Sequence, residues 1–139
     1  MSYLIDTCVI SYLRKEMPSC AMQWFANREE ESFLMSVVTV AELLDGIERL
    51  KPSKKKRDLE SWFFGEVMER FKGRILPIDE QIAKAWGLLS ASLRNKGIAV
   101  SVQDLYLAAT AQVYSLAILT ANSKHLKALD LPVINPWES

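Results

Sequence analysis

The stretch Met1-Ser2-Tyr3-Leu4-Ile5-Asp6-Thr7-Cys8 decides the fold that we expect for this sequence. Its three consecutive apolar residues, Tyr3 to Ile5, predict a short strand that is buried on both faces. Asp6 follows this strand directly, and Thr7 can cap the helix that the apolar residues at positions 9–13 predict. Open α/β sheets bind their ligands at the C-terminal ends of strands. A charge at such a position costs free energy unless it is paired or bound to a metal, so we expect Asp6 to belong to a functional site.

The overall composition is that of one globular domain, which we expect to span residues 1–139. Half of the residues are hydrophobic, and 17 basic residues balance 17 acidic residues, so the formal net charge is zero. This balance does not indicate a nucleic-acid binder, and any such binding has to rely on local patches of charge. Asp6 interrupts the apolar core that a signal peptide needs, and no apolar run is long enough to span a membrane. We therefore predict a cytoplasmic protein whose two cysteines are free thiols.

Strand and helix signals alternate along the rest of the chain. Further short strands are predicted at residues 33–38, 75–78, 116–120 and 132–134, and helices are predicted to begin at or near Ser19, Thr39, Ser53, Asp79 and Ser101. Alternating strands and helices favour parallel pairing with right-handed crossovers. We therefore predict an α/β fold, in which a central, mostly parallel twisted sheet of four to five short strands is flanked by helices in an α/β/α sandwich. The strand C-termini then share one edge of the sheet with Asp6.

Three more polar residues stand where such a sheet brings ligands together. Glu42 and Asp104 lie in the predicted first turns of two helices, where backbone N–H groups favour negative charge, and Asn122 follows the predicted strand at 116–120. Carboxylate oxygens are the ligands that Mg²⁺ and Mn²⁺ prefer. We therefore expect the segments around Glu42, Asp104 and Asn122 to meet Asp6 and to hold a divalent cation with it.

Each of these residues also has a purely structural interpretation. Glu42 follows Thr39 by three positions, which is the spacing of a capping box that only stabilises the start of a helix. Asp104 follows Ser101 by the same spacing and has the same alternative. Asn122 is of a type most often found in turns.

Other polar residues have simpler interpretations than a role at the site. Cys8 is more simply a small buried thiol than a nucleophile, because no partner histidine is apparent. The single histidine, His125, is expected on a surface helix, and Asp45 is expected to pair with Arg49 four residues later. The basic run Lys54, Lys55, Lys56 and Arg57 is either a solvated helix start or, with Lys51, Lys72 and Arg74, a flank that contacts phosphates.

Five short motifs follow one another in an informative order. They are Leu4-Ile5-Asp6-Thr7, Thr39-Val40-Ala41-Glu42-Leu43, the stretch from Gly73 to Asp79, the stretch from Asp104 to Ala111, and Leu119-Thr120-Ala121-Asn122, with Asn135-Pro136-Trp137 near the end. Together they resemble the PIN-domain ribonucleases, in particular the VapC-like toxins of type II toxin–antitoxin systems and their FitB-like subgroup. The resemblance covers essentially the whole chain.

The resemblance implies a metal-dependent endoribonuclease toxin. Asp6, Glu42 and Asp104 would be its metal-binding and catalytic acids, Mg²⁺ or Mn²⁺ its cofactor, and a metal-activated water its nucleophile toward RNA phosphodiester bonds. Thr7, Asn122 and Ser123 would support the site. The implied partners are an RNA substrate, a cognate antitoxin, a second copy in a homodimer, and a toxin–antitoxin hetero-oligomer on operator DNA. Large apolar residues over positions 22–25 and 44–63 are suited to a groove for a partner helix.

Two positions depart from the family pattern. The family usually has asparagine where this chain has Cys8, and a fourth acid often follows the last strand where this chain has Asn122. An amide carbonyl still binds a metal or its water but carries no charge, so one-metal chemistry is favoured over two-metal chemistry. The alternative is a non-catalytic PIN-like protein that acts through dimerisation and through binding an antitoxin or an operator complex. The five glycines form neither dinucleotide-binding nor P-loop motifs, which argues against nucleotide-binding folds.

Overall fold

Five short parallel strands form the sheet of the computed structural model, which describes residues 1–138. The strands are β1 (Tyr3–Ile5), β2 (Phe33–Ser36), β3 (Ile75–Leu76), β4 (Ala117–Leu119) and β5 (Val133–Ile134), in the spatial order β3-β2-β1-β4-β5. Every pairing between neighbouring strands is parallel. The predicted α/β fold is therefore confirmed, and β1, which follows the initial Met-Ser, is its central strand.

Helices connect the strands and cover both faces of the sheet. They are α1 (Thr7–Tyr12), α2 (Ser19–Ala26), α3 (Val37–Glu48), α4 (Lys54–Trp62), α5 (Met68–Arg70), α6 (Glu80–Asn95) and α7 (Val102–Tyr114). A π-helical segment, Phe63–Val67, joins α4 to α5, and short 3-10 turns lie at Glu30–Ser32 and Ser123–Leu126. Gly73 and Gly97 have φ angles of 81° and 72°, which explains why glycine ends these helical stretches where the sequence predicts. Among residues 1–138, no helix is long and apolar enough to cross a membrane.

Two hydrophobic cores lie on opposite faces of the sheet. Side chains alternate along β1, so Tyr3 and Ile5 pack into one core and Leu4 packs into the other. The first core includes Phe63 of the π-helical segment, and the second includes Leu107 of α7. Burying each of these large side chains stabilises the fold by about 1.5–3 kcal/mol, so β1 is held firmly from both sides.

The structure corrects three predicted helix caps. Helix α3 begins at Val37, and the Ser36 hydroxyl caps it by accepting a hydrogen bond from the Val38 N–H at 3.0 Å. Because β2 already ends at Ser36, Thr39 lies inside the helix and is fully buried. The predicted capping box of Thr39 and Glu42 is therefore wrong, and with it the purely structural interpretation of Glu42.

The other two corrections concern α1 and α2, while three predicted caps are confirmed. The cap of α1 is Asp6 rather than Thr7, since one carboxylate oxygen of Asp6 accepts the Thr7 N–H. Helix α2 begins at Ser19, where the sequence predicts it, but Ser19 does not cap it, because no side chain caps this helix. The side chains that cap α4, α6 and α7 are those of Ser53, Asp79 and Ser101, as the sequence predicts.

Candidate active site

The carboxylate of Asp6 lies at the C-terminal edge of the sheet and is 7% exposed. Its Oδ1 accepts the Thr7 N–H at 2.7 Å, and its Oδ2 accepts the Thr120 hydroxyl at 2.8 Å. The Cys8 thiol contributes a weaker contact to the same Oδ2 at 3.6 Å. Because Ile5 pairs with Leu119 in the sheet register, Asp6 and Thr120 are the next two residues on neighbouring strands and emerge side by side.

Glu42 reaches Asp6 through Thr7. The Thr7 hydroxyl donates to Oε1 of Glu42 at 2.9 Å, while the Thr7 N–H donates to Asp6. Burial raises the pKa of the Glu42 carboxyl, the Thr7 hydrogen bond opposes this, and the negative charges of Asp6 and Asp104 raise the pKa further. The C-terminal end of β1 and the first half of α3 therefore bring Asp6 and Glu42 close enough for their charges to interact, as the sequence predicts.

Asp104 approaches Asp6 from the first turn of α7. The Ser101 cap accepts the Asp104 N–H at 3.1 Å and fixes the start of this helix. Burial raises the pKa of the Asp104 carboxyl, and the charge of Asp6 adds to that rise, while His125 and the Ser101 hydrogen bond lower the pKa. Because Nε2 of His125 is 3.5 Å from both Asp6 and Asp104, the third predicted acid lies at the same edge of the sheet.

His125 lies on the exposed 3-10 turn, in keeping with the expected surface position, but its ring stands between two of the acids. Its Nε2 is 3.5 Å from Oδ2 of Asp6 and 3.5 Å from Oδ1 of Asp104. The side chain is 32% exposed, whereas that of Leu126 beside it is fully buried and anchors the 3-10 turn. In the sequence, the signal that could have placed His125 at the site is its position three residues after Asn122, in the turn that follows β4.

The predicted supporting residues contribute unequally. Thr7 bridges two acids, whereas Asn122 is exposed and contacts Thr120 through its backbone N–H and carbonyl. Ser123 begins the 3-10 turn that carries His125. Thr120 holds Asp6 directly but was not among the predicted site residues. The parallel pairing of β1 with β4 is the signal that would have identified it, because it places Thr120 next to Asp6.

A groove of about 570 Å³ opens beside Thr7 and Glu42. Apolar side chains of α3 and α4, including Leu43, Ile47 and Leu59, line its floor, and the basic residues Arg14, Lys15 and Lys55 also line it. The groove thus brings together an apolar surface, three basic side chains and the edge of the acid cluster.

The predicted basic flank is only partly suited to contacting RNA. Lys54 and Arg57 are exposed and Lys55 lines the groove, but the ammonium group of Lys56 pairs with Glu48 at 3.3 Å. The guanidinium of Arg74 donates to the carbonyls of Glu30 and Phe33 at 2.6 Å each, so this residue fastens the chain around β2. The surface ion pair predicted for Asp45 and Arg49 is confirmed, with 2.9 Å between the charged atoms.

The donor chemistry of the site suits a hard divalent cation. Three carboxylates can supply oxygen ligands. Burial first, and the neighbouring negative charges second, raise the pKa values of Glu42 and Asp104, and a cation would offset both effects. As they lie, no three His, Cys, Asp or Glu side chains of residues 1–138 are close enough together to hold an ion. The acids fit a divalent cation by their chemistry, although they do not form a closed set of ligands as they lie.

Comparisons with known proteins agree with this architecture. The PIN domain family model matches residues 3–130. The chain is 32% identical over 136 residues to the VapC ribonuclease Y4jK of Sinorhizobium fredii, which covers 97% of each protein, and 35% identical over 135 residues to Toxin FitB of Neisseria gonorrhoeae, which covers 96% of this chain and 97% of that toxin. A solved structure of FitAB bound to an IR36 DNA fragment superposes with a TM-score of 0.88 at 32% identity, covering 99% of this chain and 96% of the other.

Proposed function

This chain belongs to the PIN domain family, and from that premise we propose that it is a metal-dependent endoribonuclease and the toxin of a toxin–antitoxin pair. The observation that carries the proposal is the meeting of Asp6, Glu42 and Asp104 at one edge of the sheet, where Thr7 and His125 link them. Two relatives of nearly full length are named a ribonuclease and a toxin, which supports the same activity here.

The proposed cofactor is Mg²⁺ or Mn²⁺, held by Asp6 and Asp104 with Glu42 beside them. When bound, the cation lowers the pKa of a water molecule and offsets the charge of the scissile phosphate. The Thr120 hydroxyl and the Thr7 N–H fix the two oxygens of Asp6, so this carboxylate is oriented before any ligand arrives.

Glu42 is the proposed proton acceptor. Its Oε1 accepts the Thr7 hydroxyl, which leaves Oε2 to take a proton from the attacking water. Thr7 therefore has the role of holding the base in position, and Ser123 and Asn122 border the site on the β4 side.

We assign the groove beside the acids to macromolecular partners. Its apolar floor is suited to a segment of a cognate antitoxin, and its cations Arg14, Lys15 and Lys55 are suited to the phosphates of an RNA substrate. The solved FitAB complex with DNA supports an antitoxin partner and an operator-bound hetero-oligomer. A homodimer in the cytoplasm completes the proposed assembly.

Cleavage assays test the proposed activity. Single-stranded and structured RNA are incubated with the protein in Mg²⁺, Mn²⁺ or EDTA. We expect cleavage with either cation, none in EDTA, and losses of about a hundredfold or more in Asp6→Asn and Asp104→Asn, because each removes a charged ligand. Asp45→Asn is the matched control, since Asp45 pairs with Arg49 on the surface. Full activity in Asp6→Asn would overturn the assignment.

The open arrangement of the acids favours one second candidate, a non-catalytic PIN-like protein that works through dimerisation and antitoxin or operator binding. Titration calorimetry with Mn²⁺ separates the two. A stable dimer that binds no Mn²⁺ at millimolar concentration supports the non-catalytic function, and binding at lower concentration supports the nuclease.

A further inference from the structure

We propose that His125 is itself a ligand of the divalent cation, together with Asp6 and Asp104, and that its nitrogen makes this chain prefer Mn²⁺ to Mg²⁺. The inference rests on the proposed function, because it concerns the same cation. It assigns a ligand that neither the acid motifs nor the relatives' names indicate.

The distances around Nε2 of His125 carry the inference. Two donors that each lie about 2.1 Å from one ion are at most about 4.2 Å apart. The separations from Nε2 to Oδ2 of Asp6 and to Oδ1 of Asp104 are both 3.5 Å, so either pair spans a single ion. The two carboxylate oxygens are no more than twice that distance apart. As they lie, the three side chains do not form a closed set of ligands, so joint binding requires the carboxylates to move toward the ring nitrogen between them.

The fold holds this imidazole at the rim of the site. Leu126 and Leu129, which follow it, are 0% and 4% exposed and anchor the turn in the second core. On the other side of the turn, the Asn122 N–H donates to the Thr120 hydroxyl, which in turn donates to Asp6. The backbone that carries His125 is therefore connected to the Asp6 carboxylate, while the ring stays one-third exposed and within reach of solvent ions.

The identity of residue 122 gives His125 a reason to take this role. Asn122 is exposed and uncharged, so the segment after β4 offers no carboxylate at that position. The imidazole three residues later supplies a nitrogen donor to the same edge of the sheet. Mn²⁺ also favours oxygen ligands, but it accepts an imidazole nitrogen more readily than Mg²⁺, which demands hard oxygen ligands and retains its water, so a preference for Mn²⁺ over Mg²⁺ follows.

Pulsed electron paramagnetic resonance of bound Mn²⁺ tests the ligand directly. His125 is the single histidine of the chain, so protein made without a histidine tag and labelled with ¹⁵N-histidine reports on this residue alone. We expect the spectrum to show a directly bound nitrogen whose coupling changes between ¹⁴N-histidine and ¹⁵N-histidine protein. The measurement needs no substitution and is unaffected by the stability of any variant.

Calorimetry gives the second readout. We expect His125→Gln to weaken Mn²⁺ binding about tenfold or more and Mg²⁺ binding by less than about threefold, because the lost ligand is a nitrogen. Lys124→Gln is the matched control: it removes a neighbouring charge from the same turn and should leave both affinities nearly unchanged.

The outcomes separate this inference from the proposed function. Mn²⁺ that binds and supports RNA cleavage without a histidine coupling overturns the ligand assignment and leaves the nuclease in place. Equal Mn²⁺ affinity in His125→Gln and wild-type protein also overturns it. If wild-type protein binds no Mn²⁺, both proposals fail.

Discussion

Single hydrogen bonds determine how the acids of the site are presented. The Asp6 carboxylate is nearly buried, and its two oxygens take hydrogen bonds from a backbone N–H and from the Thr120 hydroxyl. Glu42 depends in the same way on the Thr7 hydroxyl. A buried charged acceptor that loses a donor retains its desolvation cost, so substitutions of these hydroxyls should affect both stability and cation binding.

Thr120→Val tests the bond to Asp6. The change keeps the shape of the side chain but removes the donor to Oδ2, and we expect it to lower the free energy of unfolding by about 1.5–3 kcal/mol and to weaken Mn²⁺ binding. Thr110→Val is the matched control, because Thr110 is equally buried but donates to the carbonyl of Tyr106 in its own helix. Urea unfolding and calorimetry measure both effects. Equal losses in the two variants would contradict the assigned role of Thr120.

Asp104→Asn tests the sign of the charge effect. The folded-state pKa of Asp104 is raised above its usual 3.8, so the folded protein binds this proton more tightly, and stability from this group falls as pH rises through the raised pKa. In EDTA at pH 7 the variant should therefore be more stable than wild type. The difference should vanish below about pH 3.8.

Glu30→Gln is the control of opposite sign. Hydrogen bonding to Arg70 lowers the pKa of Glu30 below its usual 4.5, so this carboxylate stabilises the fold above pH 4.5 and loses that effect as pH falls. The variant should therefore be less stable than wild type at pH 7. Denaturation at a series of pH values measures both variants, and shifts of the same sign would show that the charge assignment is wrong.

Helix ends set the geometry of the site at the scale of elements. The cap of α3 is Ser36 rather than Thr39, which turns Thr39 into the core and leaves Glu42 free to meet Thr7. The start of α7 is fixed by Ser101, and its end by Ser115, which takes a left-handed conformation with a φ angle of 54°. Strand β4 follows this helix end and leads directly to Thr120. The conformation of Ser115 therefore influences how Thr120 is aligned with Asp6.

Ser115→Gly tests the strain at the end of α7. A left-handed conformation disfavours residues with a Cβ atom, so we expect glycine to raise the free energy of unfolding by about 0.5–1 kcal/mol. Ser92→Gly in the exposed interior of α6 is the control and should lower it by about 0.5 kcal/mol. Thermal unfolding compares the variants, and a loss of stability in Ser115→Gly would contradict the prediction.

At the scale of the whole molecule, the site joins segments from the beginning to the end of the chain. Asp6 follows β1, Glu42 lies on α3, Asp104 lies on α7, and His125 lies on the last 3-10 turn. None of these segments forms the site alone. A ligand that binds all of them binds the folded protein in preference to the unfolded chain, and should stabilise the whole domain.

Cation binding should therefore raise the melting temperature. At a hundred times its dissociation constant, Mn²⁺ adds about 2.7 kcal/mol to the free energy of unfolding, which corresponds to roughly 10 °C for a chain of this size. Scanning calorimetry with Mn²⁺ and then with excess EDTA measures the shift and its reversal. Asp6→Asn should lose most of the shift, and an undiminished shift in that variant would place the cation elsewhere.

The sequence alone predicted the order of the elements and the three acids, but it missed contacts that depend on three-dimensional neighbours. Apolar runs, caps and glycines act within a few residues, so β1, α6 and the caps Ser53, Asp79 and Ser101 were predictable. The cap of α3 was not, because two hydroxyls competed for it and the end of β2 decided between them.

What the sequence determined by itself was the α/β class, the family resemblance, and the placing of Asp6 directly after a buried strand. Only the tertiary structure decided that Thr120 holds Asp6 and that His125 lies between Asp6 and Asp104. The physical reason is the distance along the chain over which each kind of interaction acts. Helix and strand periodicity record local burial, whereas the position of His125 follows from the pairing of β1 with β4 and the packing of the turn onto the second core, which no local pattern encodes.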